Sequence, residues 1–198
     1  METFFNPLSV AIVGATEKPG SLPGIILKNL LSMGFKGKMY PVNPKYETVF
    51  GLNCFPSILD IPDEVALTVI AIPAPWVLDV LQQQAHKRIR HAIIISAGFR
   101  EKGAEGIEME ERIRRVAIEN DMRILGPNCL GVLDNYTKHY PTTKEMGHLN
   151  FKNLIVKNLS DSLAQVYGNW ELLKDSTVGG NFSLVLKPKC QIYKKKKK

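Results

Sequence analysis

Short apolar runs rich in β-branched residues recur along the chain, and segments of helical length separate most of them. The runs are VAIVG from Val10, KMYPV from Lys38, ALTVIAI from Ala66, HAIIIS from His91 and MRILG from Met122. Between them lie LPGIILKNLLSMG, APWVLDVLQQQAHKR and AEGIEMEERIRRVAIEND, the last with Ile107, Ile113, Val116 and Ala117 set among charged neighbours. A strand that is apolar at every position has both faces covered, which is the mark of a parallel sheet with helices on each side. The alternation predicts an α/β fold with a doubly wound parallel sheet. Such a sheet takes its ligand at the carboxyl ends of the strands, where the strand order reverses.

The stretches that follow the strands are therefore where function is expected. They read GATEKPGS, NPKY, PAPW, SAGFREKG and GPNCLG in chain order, all built of small, polar or turn-forming residues. Loops in general favour Gly, Pro and Asn. A single such loop would mean little, but here every strand end carries one. The first is the most informative, because SVAIVGATEKPGSLPG at residues 9–24 passes from an apolar strand through a glycine-rich turn into the helix that IILKNLLSMG begins. The unpaired N–H groups of a helix start, together with the helix dipole, make such a junction a seat for an anion. A phosphorylated ligand is the expectation.

Composition narrows the alternatives. A chain of 198 residues suits one domain with an appendage or two small domains. The formal net charge is +7, but Lys194 to Lys198 supply five of those charges, so the body is close to neutral and nucleic acid is not an expected partner. Cys54, Cys129 and Cys190 are widely spaced with no C-x-x-C pairing, which points to a reducing, cytoplasmic setting and no zinc site. No apolar run approaches the ~20 residues of a membrane span, and METFFNPLSV lacks the basic start of a secretory signal, so no membrane association is expected.

The first loop departs from the G-x-G-x-x-G dinucleotide fingerprint, because Thr16 stands where the second glycine would be. At the end of the second strand, nicotinamide enzymes place an acidic residue on the ribose 2′-hydroxyl. This chain has Asn43, Pro44 and Lys45 there. A lysine beside the adenosine ribose suits a phosphate on that sugar, which NADP and coenzyme A both carry. The residues do not choose between the two, and Lys45 also fits an ordinary surface position.

GAT-x-x-PGSLPG, YPVNPKY, AIPAPWV, ISAGFREKG and RILGPNCLG, in this order and spacing, resemble the CoA-binding domain of ADP-forming acyl-CoA ligases, a family that includes acetate–CoA ligase and is related to the succinyl-CoA synthetase alpha subunit. The resemblance covers residues 6–141 and implies a Rossmann-like domain that holds CoA. It implies that Gly14, Thr16, Lys18, Gly20 and Ser21 lie on the phosphates and Asn43, Pro44 and Lys45 near the adenosine. Pro73, Ala74, Ser96, Ala97 and Gly98 would line the path of the pantetheine. Asn128 is either a rim residue that orients substrate or a turn cap after Pro127. In this family acyl-CoA and phosphate give an acyl phosphate, the phosphoryl group passes to a histidine, and ADP receives it. The protein's part in such steps is position and charge complementarity.

From about Thr143 the resemblance ends. Residues 142–198 read as a truncated or divergent extension with a poly-lysine tail, an ending that a truncated or frameshifted reading frame would produce. The phosphohistidine context and the ATP-binding domain of the family have no counterpart; His86, His91, His139 and His148 all read as structural or surface residues. The chain alone is expected to supply no catalytic residue and to work with a separate chain that carries those domains, or else to act as a stand-alone CoA- or NAD(P)-binding regulatory module. Residues 160–174 suggest an amphipathic helix, with Leu163, Val166, Tyr167, Trp170 and Leu173 on one stripe behind a Ser160 or Asp161 cap. Glu101 is read as complementing the start of the helix that follows, and Glu108 with Arg112 and Glu110 with Arg114 as exposed i,i+4 pairs.

Overall fold

The computed structural model describes residues 2–32, 34–133, 149–160, 163–172 and 175–186. Strand β1 (Ser9–Val13) leads into α1 (Leu22–Ser32), followed by β2 (Lys38–Val42), a short antiparallel pair β3 (Thr48–Val49) and β4 (Leu52–Asn53), and β5 (Leu67–Ile70). Helix α2 (Val77–His86), β6 (His91–Ile94), α3 (Ala104–Glu119) and β7 (Arg123–Leu125) complete the main body. The sheet has five strands in the order β2-β1-β5-β6-β7, and every pairing in it is parallel. All five predicted strands are present, and the fold is a Rossmann-like, doubly wound α/β sheet.

The core follows from the two-residue period of a strand. In β1, Val10 and Ile12 face one side and pack with Ile26, Leu27 and Leu30 of α1; Ala11 and Val13 face the other, with Val77, Val80 and Leu81 of α2 and Ile113 of α3. Each fully buried Leu or Ile contributes about 1.5–3 kcal/mol. Gln84 is buried on the same stripe of α2. Its oxygen accepts from Thr68 Oγ1 at 2.8 Å and its nitrogen donates to the Ile89 and His91 carbonyls, so its polar atoms are paired.

One connection differs from a strict strand–helix alternation. Between β2 and β5 the chain makes a β-hairpin and a single 3-10 turn (Ile58–Asp60), with no α-helix. Phe50 and Gly51 occupy the two-residue turn with φ of 49° and 76°. Positive φ at both central positions gives a turn whose twist matches the flanking strands. This crossing carries the chain over β1 and sets the reversal of strand order between β1 and β5.

Over the described part of the segment expected as a helix, residues 160–174, the chain is strand instead. Residues 163–172 form β10 (Leu163–Leu172), paired antiparallel with β9 (Leu149–Ser160) and β11 (Asp175–Leu186); the latter also pairs with β8 (Val132–Leu133). The same apolar residues that make a helical stripe also suit a strand. Val166 lies opposite Val156, Tyr167 opposite Ile155 and Trp170 opposite Phe151, and β-branched and aromatic cross-strand pairs favour sheet over helix. Gly168 within the segment lowers helix propensity further. The lysine tail, His139 and His148 lie outside the described residues.

Candidate functional site

The carboxyl ends of β1, β2 and β5 meet at Gly14. Its N–H donates to the Val42 carbonyl at 2.8 Å, its φ is +94°, and a Cβ built there would lie 2.6 Å from the Ala71 carbonyl oxygen. Only glycine meets both conditions, the left-handed backbone and the close approach. The chain then turns onto α1. Ser21 accepts the first helical bond, from Ile25 N at 2.9 Å, and is the N-cap; its hydroxyl donates to the Lys18 carbonyl at 2.8 Å, which closes the loop. Leu22 and Gly24 present first-turn N–H groups, Pro23 has none to leave unpaired, and no acidic residue stands in that turn. Gly24 allows this geometry because a Cβ there would meet the Thr16 carbonyl oxygen at 2.5 Å.

Side chains brace the loop against the end of β2. Thr16 is buried; its Oγ1 donates to Tyr46 Oη at 3.2 Å and accepts from Lys18 N at 3.2 Å. Asn43 Nδ2 donates to the Ala15 carbonyl at 2.9 Å, while its Oδ1 accepts from Lys45 N at 3.0 Å. The Glu17 carboxylate accepts from Phe50 N. That bond turns a negative charge away from the helix start and toward the hairpin. Thr16 and Asn43 thus hold the loop in shape with their side chains, while Lys18, Gly20, Pro44 and Lys45 stand exposed above it. Glu17, Gly24, Tyr46 and Phe50 were not distinguished by sequence. The part of Glu17, Tyr46 and Phe50 depends on contacts between loops some 30 residues apart, and that of Gly24 on the close approach of the Thr16 carbonyl.

At the carboxyl ends of β5 and β6 lies a separate cavity of about 480 Å³ lined by Pro73, Ala74, Pro75, Ala97, Gly98, Lys102, Glu105, Gly106 and Met109. This volume lies within the range of small-molecule sites. Four residues expected on the pantetheine path, Pro73, Ala74, Ala97 and Gly98, are brought together here. Ser96 is not on that wall. It is buried, accepts from Ile72 N at 3.2 Å through its hydroxyl, and receives Asn128 N at its carbonyl at 2.9 Å, so it ties the ends of β5, β6 and β7. Gly106 brings α3 against this wall, since a Cβ there would meet the Phe99 carbonyl oxygen at 1.8 Å.

Glu101 stands ahead of α3, as expected, but its carboxylate does not cap that helix. It sits in a 3-10 turn (Arg100–Lys102), and Gly103 is the residue preceding α3. Partial burial alone would raise its carboxyl. The N–H groups of Gly98, Glu101 and Phe99 and the Asn128 side chain outweigh that and hold it below the usual carboxylate range. The exposed ion pairs near α3 are Arg100 with Glu110 and Arg114 with Glu111, in place of the expected i,i+4 pairs. Cys129 is buried, which pushes its thiol up to about 11, and its Sγ donates to the Ile94 carbonyl at 3.3 Å. It is no nucleophile at neutral pH. Among the described residues no cluster of His, Cys, Asp or Glu is arranged to hold a metal ion, and no helix is long and apolar enough to cross a membrane.

A doubly wound sheet whose reversal point carries a helix start free of acid, with a cavity beside it, defines a nucleotide-binding α/β domain. The family is more specific. Residues 8–135 match the family model described as the CoA binding domain, and the chain belongs to that family. It is 47% identical over 135 residues to an ADP-forming acetate–CoA ligase II of Archaeoglobus fulgidus, which covers 68% of this chain and 20% of the ligase. It is 43% identical to the alpha subunit of an ADP-forming acetate–CoA ligase I of Pyrococcus furiosus, over 67% of this chain and 30% of that subunit. A solved acetyl-coenzyme A synthetase 1 of Ca. Korarchaeum cryptofilum, in complex with phosphate and ADP, superposes with a TM-score of 0.68 at 41% identity, covering 71% of this chain and 30% of that one. The chain therefore spans about a third or less of the length of these relatives.

Proposed function

We propose that this chain is the CoA-binding portion of an ADP-forming acyl-CoA ligase of the acetate–CoA ligase type, acting in the cytoplasm on acyl-CoA, ADP and phosphate to give acid, CoA and ATP. The phosphohistidine and the ATP-binding surface would come from a separate chain. The CoA diphosphate would sit on the N–H groups of the 16–24 loop and the first turn of α1. The adenosine would lie toward Pro44 and Lys45, and the pantetheine would run along Pro73, Ala74, Ala97 and Gly98.

The observation that carries this reading is that the start of α1, at the β1–β5 reversal, and a cavity at the ends of β5 and β6 lie on the same carboxyl-end rim of the sheet. An extended ligand with an anionic head and a long neutral arm fits both parts. The end of β2 favours CoA over NAD. Asn43 there is spent on Ala15 and Lys45, residues 43–45 carry no carboxylate for a ribose 2′-hydroxyl, and a lysine stands ready for a sugar phosphate. Hydrogen bonds to a charged phosphate contribute about 1.5–3 kcal/mol each, so a few of these amides suffice for micromolar affinity.

Calorimetric titration of the full chain with CoA, 3′-dephospho-CoA, NAD and NADP tests it. CoA is expected to bind most tightly, 3′-dephospho-CoA more weakly and NAD least. Tighter binding of NAD or NADP than of CoA would assign the chain to nicotinamide nucleotides.

A further inference from the structure

The cavity at the carboxyl ends of β5 and β6 has two walls. One comes from the strand-end loops and is uncharged; the other comes from the 3-10 turn and the first turns of α3, where Lys102 and Glu105 carry the charges among the described lining residues. These two stand three residues apart, the spacing at which Glu111 and Arg114 pair at 2.8 Å further along α3. Lys102 and Glu105 do not pair. Among the described residues neither side chain forms an ion pair or a hydrogen bond. Gly103 lies between them with φ 86° and ψ −148°, so the backbone breaks there, and Lys102 and Glu105 share the cavity but no helical face.

We propose that Lys102 and Glu105 bracket one amide group of the ligand's arm, with Lys102 Nζ donating to its carbonyl oxygen and the Glu105 carboxylate accepting from its N–H. The inference rests on the CoA reading and deepens it, because the pantetheine arm assigned to the facing wall carries amide groups. An ammonium only donates and a carboxylate only accepts, so an unpaired couple of the two matches a group with an acceptor on one edge and a donor on the other. A phosphate offers acceptors alone and would meet Glu105 as a like charge. The two charges cancel, so the couple favours a neutral polar arm and gives the anionic head no net attraction.

The test titrates the full chain with CoA and with adenosine 3′,5′-bisphosphate, which shares the nucleotide and lacks the arm. Lys102→Met and Glu105→Gln are each expected to weaken CoA about three- to tenfold, the net worth of one hydrogen bond that water can replace, while the affinity for the bisphosphate stays that of the wild type. The sign is decisive. A general effect of charge on an anionic ligand would move the two variants in opposite directions, weaker for Lys102→Met and tighter for Glu105→Gln, and for both ligands alike; that result would overturn the proposal. In the double variant the loss is expected to fall short of the product of the single losses, because both residues hold the same group. A full product would place them on separate groups and overturn the bracket. Wild-type protein that binds the bisphosphate as tightly as CoA would also defeat the inference while leaving the nucleotide seat intact, whereas wild-type protein that binds neither would overturn the CoA reading and this inference with it.

Discussion

Gly14 and Lys45 mark two kinds of residue, one that shapes the site and one that would touch ligand. Gly14→Ala must place a Cβ against the Ala71 carbonyl in a left-handed backbone. A loss of about 1–3 kcal/mol in stability is expected, measured by urea unfolding, with CoA binding weakened as the strand ends separate. Lys45 is exposed and its side chain holds nothing in place. Lys45→Ala is expected to leave stability unchanged and to cost CoA about 0.2–1 kcal/mol, as for an exposed ion pair, with no effect on 3′-dephospho-CoA. Equal losses for the two ligands in titration calorimetry would remove Lys45 from the sugar phosphate.

Among the elements, the hairpin and the edge strand β2 make distinct predictions. The hairpin is tied to the first loop by Glu17 on Phe50 N. Glu17→Gln removes the charge from that acceptor and is expected to speed hydrogen exchange at the Phe50 amide while α1 amides keep their protection. Exchange that is unchanged at Phe50 would show the bond to be incidental. In β2, Tyr40 Oη donates to Asp63 at 2.6 Å, and Lys38 pairs with the same carboxylate at 2.8 Å. Burial first, then the bond to Asp63 and its charge, lift the Tyr40 hydroxyl from 10 to about 12. A group raised in the folded state stabilises fully below its unfolded value, so stability is expected to hold to pH 10 and fall as pH rises toward 12. Asp63→Asn should bring Tyr40 titration, followed by tyrosinate absorbance, to lower pH. Burial should still keep it above 10.

The chain as a whole was legible in sequence wherever one local signal decided the structure. Residues 10–13, 69–70 and 92–94 are apolar on both faces and had to be buried strands. The glycine-rich turn into α1 needed only the order of its residues. The partner of Glu101 was missed because an acid ahead of a helix looks like a cap, and only the path of the 98–102 turn brings its carboxylate back to Gly98 N–H. Ser96 and Asn43 carry polar groups on the ligand rim, yet their partners lie on neighbouring strand ends, and no spacing rule reveals that. Residues 163–172 satisfied a helical stripe and a strand equally well; the choice belonged to the partners β9 and β11. Local pattern therefore located the glycine-rich entry to α1, and tertiary contacts determined which side chains around it remain exposed.

A crystal structure of the full chain with CoA bound decides the matter. The diphosphate is expected on the N–H groups of Leu22 and Gly24, with the arm along Pro73, Ala74, Ala97 and Gly98. A diphosphate seated away from the start of α1, or an arm that leaves the cavity across β5 and β6 empty, would contradict the site described for this protein.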